Sequence, residues 1–241
     1  MSPVASLIVL SGASFTTSVF TAAVGIGGGI GLLAVMCSFL PFSAVLPVHG
    51  LIQLVSNGSR FYLSRELAET RLLPAYAAGV LLGAGVGCLL LGNVPDANLS
   101  RMLGVFILLY TWTSILRCLG KFIGNFVILG CIQSFLSLFV ASVGTISQPV
   151  LIRQGLPKDR VIVTHAMQMT VLHAAKVAAF VISGFSFYQY WKLALAMTVT
   201  SALGSYVGGS LMKLIPERVG TLLLKLGISG FAALMIAGIS A

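Results

Sequence analysis

Apolar residues run through the chain in long stretches, which charged residues and Pro or Gly positions interrupt. A transmembrane helix needs roughly 20 apolar residues, and the stretches between interruptions have that length. They predict spans at about 44–63, 72–91, 102–119, 161–182, 193–212 and 219–239. The pattern therefore predicts an all-α polytopic membrane protein.

Two further apolar stretches are too long for one crossing. Residues 4–40 and 122–152 carry no charge, and a helix over the first would be about 55 Å long. The glycine cluster at 25–31 interrupts the first stretch, and Gly144 and Pro149 interrupt the second. We expect each stretch to form a helix of about 20 residues and then a shorter one of about 14, as a half-helix or re-entrant segment. The chain then has about 8 to 10 membrane segments.

The two halves of the sequence resemble each other. A shift of 116 residues aligns Val24–Arg60 with Val140–Lys176 without a gap, and 8 of 37 positions are identical. Two of the identical pairs are Gly28 with Gly144 and His49 with His165. The sequence therefore predicts two transmembrane repeats, each with a glycine-broken or re-entrant helix.

Basic residues indicate how the repeats are oriented, because cytoplasmic loops collect Lys and Arg. If each long stretch adds one reversal, ten cations lie on one face, in the loops at 60–71, 117–121, 153–160 and 213–218. The other face keeps Arg101 and Lys192, whereas eight full crossings would divide the cations six against six. We therefore predict inverted repeats, residues 1–121 and 122–241, with both termini in the periplasm.

Two of the predicted spans carry a stripe of polar residues at helical spacing. The stripe of the first repeat consists of His49, Gln53, Ser56, Asn57 and Arg60. The stripe of the second consists of His165, Gln168, His173 and Lys176. Ionisable groups inside a membrane usually face a cavity or a partner. We therefore predict that the stripes face a common cavity.

The ionisable groups within the predicted spans are basic. The five acidic residues lie outside every span: Glu66, Glu69, Asp96, Asp159 and Glu217. Arg60 and Lys176 then lack a carboxylate partner in the membrane, which favours an anionic ligand. Helix N-termini also bind anions. Short helices are predicted to begin at such positions and to add to the site: Gly27, Gly28 and Gly29 in the first repeat, and Thr145 and Ser147 in the second.

Each of these residues also has a structural explanation. Arg60 and Lys176 can extend their charged ends to the membrane interface. His49 and His165 can hold helices together through backbone carbonyls, and the glycines can serve close helix packing alone. The sequence leaves these explanations open.

Composition excludes several classes of function. Hydrophobic residues make up 58% of the chain and charged residues 8%, too few to cover a soluble globule. The net charge of +9 follows from the positive-inside bias and not from a nucleic-acid partner. The glycine cluster lacks the context of a nucleotide site, and the sequence has no HExxH, GxSxG or CxxC motif. We therefore expect no enzyme, metal site or cofactor.

The motifs resemble a known family. The chain has GIGGGIG at 25–31, LP at 40–41 and HGLIQLVSNGSR at 49–60, with a weaker second copy, VGTISQPVLIRQGLP, at 143–157. This order is similar to that of the sulfite exporter TauE/SafE family of bacterial membrane transporters. The family often has a proline soon after the glycines in both repeats, whereas here it stands only in the second, as Pro149.

The resemblance implies export of sulfite or an organosulfonate such as sulfoacetate from the bacterial inner membrane. The partners are then a small anion and the lipid bilayer. Whether the protein forms a homodimer is left open by the sequence. An inside-negative potential favours anion efflux by about 2.3 kcal/mol per charge per 100 mV. Two alternatives remain: proton-coupled uptake, with the three histidines as titrating groups, and a passive anion channel.

Overall fold

The structure is a computed structural model that describes residues 3–24, 28–91, 105–106, 108–109, 112–113, 115–140 and 143–211. These residues form helices and turns, with no β-strand among them. The helices are α1 (Pro3–Val24), α2 (Gly28–Met36), α3 (Phe42–Leu63), α4 (Leu73–Leu91), α5 (Ile115–Phe122), α6 (Phe126–Val140), α7 (Ser147–Ile152), α8 (Lys158–Ile182) and α9 (Trp191–Leu211). The all-α class is confirmed for this part of the chain.

Four predicted spans coincide with helices α3, α4, α8 and α9. By length and composition, three helical segments within the described ranges can cross a membrane: Val4–Ala22, Thr70–Leu91 and Lys158–Ile182. The predicted span at 219–239 lies outside the described residues, and so do seven of the 18 positions of the predicted span at 102–119. The number of crossings therefore stays a prediction.

Both long apolar stretches are divided where the sequence predicts. α1 ends at Val24 and α2 begins at Gly28, while α6 ends at Val140 and α7 begins after a 3₁₀ turn at Gly144–Ile146. The predicted length of the second helices was wrong, because α2 has nine residues and α7 has six.

Prolines and a glycine explain these short lengths. Pro41 and Pro157 precede α3 and α8 in extended backbone, and proline cannot continue a helix because it lacks an N–H donor. Gly155, just after α7, has φ +74°, which other residues rarely adopt. The chain therefore leaves each short helix several residues before the next one begins.

Helices of one half pack mainly on helices of the other half. The most extensive contacts are those of α1 with α9 and of α4 with α6, and the next is that of α3 with α8. α3 also contacts α9, and α4 contacts α8 to a similar extent. The two helices that carry the polar stripes, α3 and α8, therefore lie against each other.

Glycines let the backbones of these helix pairs approach closely. A Cβ atom on Gly83 would lie 2.1 Å from the carbonyl oxygen of Cys131, and one on Gly204 would lie 2.4 Å from that of Phe15. Cys131 follows Phe15 by 116 residues, the spacing of the sequence repeat. The α4–α6 and α9–α1 pairs thus use glycine in the same way.

Candidate functional site

The two polar stripes meet at the interface between α3 and α8. The ring centroids of His49 and His173 are 6.4 Å apart. Farther along α3, a Cβ atom on Gly58 would lie 3.6 Å from Cγ2 of Thr170. Residue numbers rise along α3 as they fall along α8, so the helices are antiparallel here.

Each repeat contains a histidine that bonds to a carbonyl at the helix break. His49 Nε2 donates to the carbonyl oxygen of Gly29 at 2.8 Å, and His165 Nε2 donates to that of Gly144 at 3.0 Å. A carbonyl oxygen can only accept, so Nε2 carries a proton in both rings. In a neutral His49 ring, Nδ1 is then a hydrogen-bond acceptor.

The rest of the α3 stripe is linked by short polar contacts. The Asn57 amide donates to the backbone carbonyl of Gln53 at 2.8 Å and lies 3.4 Å from the Gln53 side-chain oxygen. The hydroxyls of Ser56 and of Ser205, on α9, are 3.1 Å apart. These contacts hold the stripe toward the interior and away from the lipid.

Several buried polar atoms have no hydrogen-bond partner among the described residues. All but Ser11 Oγ belong to predicted site residues: His49 Nδ1, Arg60 Nε and Nη2, Thr145 Oγ1, Gln168 Nε2 and Oε1, and His173 Nδ1. Buried polar groups normally pair with protein or ordered water, and each one left unpaired costs about 1–3 kcal/mol. These atoms are concentrated on the two stripes and at the second break. A polar ligand bound there could supply the missing hydrogen bonds.

Arg60 lines a cavity of about 330 Å³. The wall also includes residues of α1, α3, α8, α9 and the loop after α3: Ala22, Leu63, Ser64, Leu67, Asp159, Ile162, Val163, Ser205, Tyr206 and Gly209. The wall is mostly apolar, and Arg60 is the one basic residue among the described residues that line it, in surroundings that screen charge less than water does.

Asp159 corrects one expectation from the sequence. Helix α8 begins at Lys158, three residues before the predicted span, so the Asp159 carboxylate lies in its first turn and joins the cavity wall. No ion pair joins it to Arg60, since the ion pairs among the described residues link Glu69 to Arg71 and Arg160.

Lys176 has a different environment. Its side chain is 1% exposed, so it does not extend to the membrane interface. The ammonium group donates to the carbonyl oxygen of Ser137 at 2.5 Å and lies 5.9 Å from the ring centroid of Phe180. A Cβ atom on Gly50 of α3 would lie 3.3 Å from the Lys176 stem, so this glycine makes room for it.

The structure separates the predicted site into two ends. Arg60 follows His49 by 11 residues, about 16 Å along α3, and Lys176 lies next to Gly50 at the His49 end. The two cations are thus anchored at different heights of α3. The cavity described here lies at the Arg60 end, and at the Lys176 end the cation has a carbonyl partner, so a single cavity shared by both stripes stays a prediction.

The predicted glycines have two roles. A Cβ atom on Gly28 would lie 2.1 Å from the carbonyl oxygen of Thr17, so Gly28 packs α2 on α1. A Cβ atom on Gly29 would lie 3.0 Å from Gln53 Nε2, so Gly29 borders the polar stripe. Gly27 lies outside the described residues.

Within the described part of the second break, two residues carry hydroxyls, Thr145 and Ser147. Thr145 is buried, and its hydroxyl has no partner among the described residues. The Ser147 hydroxyl donates to the carbonyl oxygen of Gly144 at 2.8 Å, so its proton is already used within the turn. Thr145 is therefore the hydroxyl at this break that can still donate to a ligand.

Sequence reasoning missed a polar set on α6. Gln133 Nε2 donates to the carbonyl oxygen of Val143 at 2.8 Å, and the Tyr76 hydroxyl donates to Gln133 Oε1 at 2.9 Å. All three residues are buried, and the bonds fix the chain at the second break. The signal was Gln133, Ser134 and Ser137, three polar residues within the uncharged stretch at 122–152.

Comparison with known proteins identifies the family. Residues 10–239 match the family described as Sulfite exporter TauE/SafE. No curated protein and no solved structure gives a significant match to the chain. The matched region includes both helix breaks and both polar stripes. With nearly its whole length matched, the chain belongs to the sulfite exporter TauE/SafE family of membrane anion exporters.

Proposed function

We propose that this protein exports a small sulfur-containing anion, sulfite or an organosulfonate such as sulfoacetate, across the bacterial inner membrane by alternating access. The observation that carries the proposal is Arg60, a residue of the cavity wall that has two buried guanidinium nitrogens without a partner among the described residues. A guanidinium is planar and holds two oxygens of one acid group in a bidentate fork. A sulfonate or sulfite group would satisfy both nitrogens.

The position of the cavity fits an entry point from the cytoplasm. Ser64 and Leu67 lie in the predicted loop at 60–71, and Asp159 lies in the first turn of α8, within the segment 153–160 that the sequence assigns to a loop. Both loops belong to the cation-rich face that the sequence predicts to be cytoplasmic. Their basic residues would concentrate anions near the cavity mouth.

The proposed substrate path runs between the two ends of the site. Neutral donors beyond Arg60 would receive the anion after it leaves the guanidinium. The path is assigned to Arg60, Asn57, Ser56, Gln53, His49, Gly29, His165, Gln168, His173, Lys176, Thr145 and Ser147, with Gly28 holding the first break in place.

Inverted repeats are part of the proposal, and the helix packing supports them. If residues 1–121 and 122–241 are repeats, α1 corresponds to α6, α3 to α8, and α4 to α9. The α1–α9 contact then corresponds to the α6–α4 contact, and the α3–α8 contact corresponds to itself. Two repeats related by a two-fold axis are expected to show this correspondence, in which each contact between helices maps onto another contact or onto itself.

The direction follows from charge. An inside-negative potential drives an anion outward by about 2.3 kcal/mol per charge per 100 mV. Proton-coupled uptake is the second candidate, because His49 and His173 each keep a buried ring nitrogen without a partner among the described residues and can receive a proton.

Transport by the purified protein in liposomes tests the function. We expect saturable counterflow of sulfite or sulfoacetate, and faster efflux when the exit side is made positive. Sulfate, taurine and acetate serve as competitors that rank specificity. Flux that does not saturate and shows no counterflow would indicate a channel, and accumulation that requires a proton gradient would indicate uptake.

The orientation has its own test. In a cysteine-free background, cysteines at Arg65 and Lys121 should be shielded from an impermeant thiol reagent in intact cells, and one at Lys192 should react. The reason is that ten cations are assigned to one face and two to the other. Reaction of all three from outside would contradict the inverted topology.

A further inference from the structure

The two membrane cations occupy related positions but have different partners. The repeat shift of 116 residues relates Arg60 to Lys176 and Thr21 to Ser137. Lys176 donates to the Ser137 carbonyl in the last turn of α6. Arg60 lines its cavity together with Ala22 from the last turn of α1, yet two of its nitrogens have no partner among the described residues.

A cation is stabilised at the C-terminal end of a helix that ends at a break. The last four carbonyls of a helix lack partners within it, and the aligned peptide dipoles make this end negative. Both effects are strong inside a membrane, where no water replaces the missing bonds. α1 and α6 each end at a break, so each offers such a position, and in this structure the α6 position holds its cation.

We propose that Arg60 and Lys176 dock alternately on the last turns of α1 and α6. In the state described here, Lys176 is docked on α6 and Arg60 faces an open cavity. In the opposite state, Arg60 docks on the last turn of α1 near the Thr21 carbonyl, Lys176 leaves Ser137, and a cavity opens at the Lys176 end. The proposal rests on alternating access between inverted repeats and names the contacts that hold each state.

Docking also explains how the anion leaves Arg60. The anion and the end of α1 are alternative partners for one guanidinium, so docking of Arg60 would displace the anion from it. At the Lys176 end, Gly50 has no side chain, and this leaves the space in which the Lys176 stem passes α3 to reach its docked position.

Two reporter cysteines distinguish the states. Ile162 lines the Arg60 cavity, and its repeat-related residue is Leu46, which is 3% exposed. Each is replaced singly by cysteine in a background without the four native cysteines. The rate of reaction with a water-soluble maleimide is then measured on purified protein in detergent. The described state predicts fast reaction at position 162 and slow reaction at position 46.

Lys176→Met removes the docked cation, so it should shift the protein toward the opposite state. We expect the reaction rate to rise at position 46 and to fall at position 162, so that the ratio of the two rates changes by about two- to thirtyfold, the range set by a cation at a helix end. Arg60→Met should move both rates in the other direction or leave them unchanged. Lys176→Arg retains the charge and should restore the original ratio of rates.

The outcomes separate docking from a loss of folding. Rates that rise together at both positions would mean that Lys176 only stabilises the fold, and unchanged rates would mean that its docking does not select a state. Either result would overturn the proposal. The labelling is measured without an anion, so a labelling result that contradicts docking would leave the export proposal standing. Conversely, the export proposal fails if the purified protein transports no anion, whatever the labelling rates are.

Discussion

Arg60→Gln should weaken binding of sulfoacetate or sulfite about tenfold to a hundredfold. The substitution removes a charged donor whose two buried nitrogens lack a partner among the described residues. A hydrogen bond to a charged group contributes roughly 1.5–3 kcal/mol, and each 1.4 kcal/mol is about tenfold in affinity. Calorimetry on the purified protein measures the change directly.

Two further variants make the result specific to the guanidinium. Arg60→Lys should recover part of the affinity, because it restores the charge but not the bidentate fork. Arg65→Gln is the matched control and should leave the affinity nearly unchanged. Arg65 follows α3, its guanidinium lies over the ring of Tyr62, and it is not among the residues of the cavity wall. Equal affinities in Arg60→Gln and the unaltered protein would assign Arg60 to a structural role and leave neutral groups to hold the anion.

Lys176→Gln should reduce the affinity less than Arg60→Gln does. The Lys176 ammonium already has the Ser137 carbonyl as its partner, so the anion does not depend on it in this state. A loss equal to that of Arg60→Gln, with the labelling rates at positions 46 and 162 unchanged, would indicate that the anion reaches the Lys176 end.

Gly83→Ala should sharply reduce the yield and thermal stability of the folded protein. The added Cβ would lie 2.1 Å from the Cys131 carbonyl oxygen and 2.4 Å from the Ser134 hydroxyl. Backbone atoms cannot turn aside as a flexible side chain does, so α4 and α6 would have to separate. Overpacking usually costs about 1–3 kcal/mol and at times more, and we expect the upper end of that range here.

Gly85→Ala provides the control on the same helix. A Cβ atom there meets nothing within 4 Å, and alanine favours a helix over glycine by about 0.5–1 kcal/mol. We therefore expect unchanged or higher thermal stability. Gly204→Ala, at the related α9–α1 contact, should behave like Gly83→Ala. A tolerated alanine at both positions 83 and 204 would show that these helices do not depend on close backbone contact.

Much of the helical framework is visible in the sequence because a membrane span has a fixed length and few charges. Helices α3, α4, α8 and α9 were predicted within three residues of their bounds, and the break between α1 and α2 follows from the glycine cluster. The shortness of α2 and α7 was missed. Their lengths depend on where the chain must turn toward Pro41 and Pro157, which the apolar pattern does not reveal.

The candidate site was predictable as a set of residues but not as an arrangement. Helical spacing was enough to place His49 and Arg60 on one face of α3. It did not show that Lys176 already has a carbonyl partner, because Ser137 belongs to another helix and acts through its backbone. It also missed Asp159, because α8 begins one turn earlier than its apolar residues indicate.

The packing of each half on the other constrains how the protein is made. α1 is synthesised first, but the surface that covers it, α9, comes from the second half of the chain. Until then the Ser14 and Ser18 hydroxyls of α1 lack their partners on α9, the Met197 carbonyl and the Ser201 hydroxyl. Before α9 is inserted, these hydroxyls can bond only within α1, as those of Thr16, Thr17 and Thr21 do with carbonyls four residues earlier, so the first half forms its bonds between helices only after the second half is made.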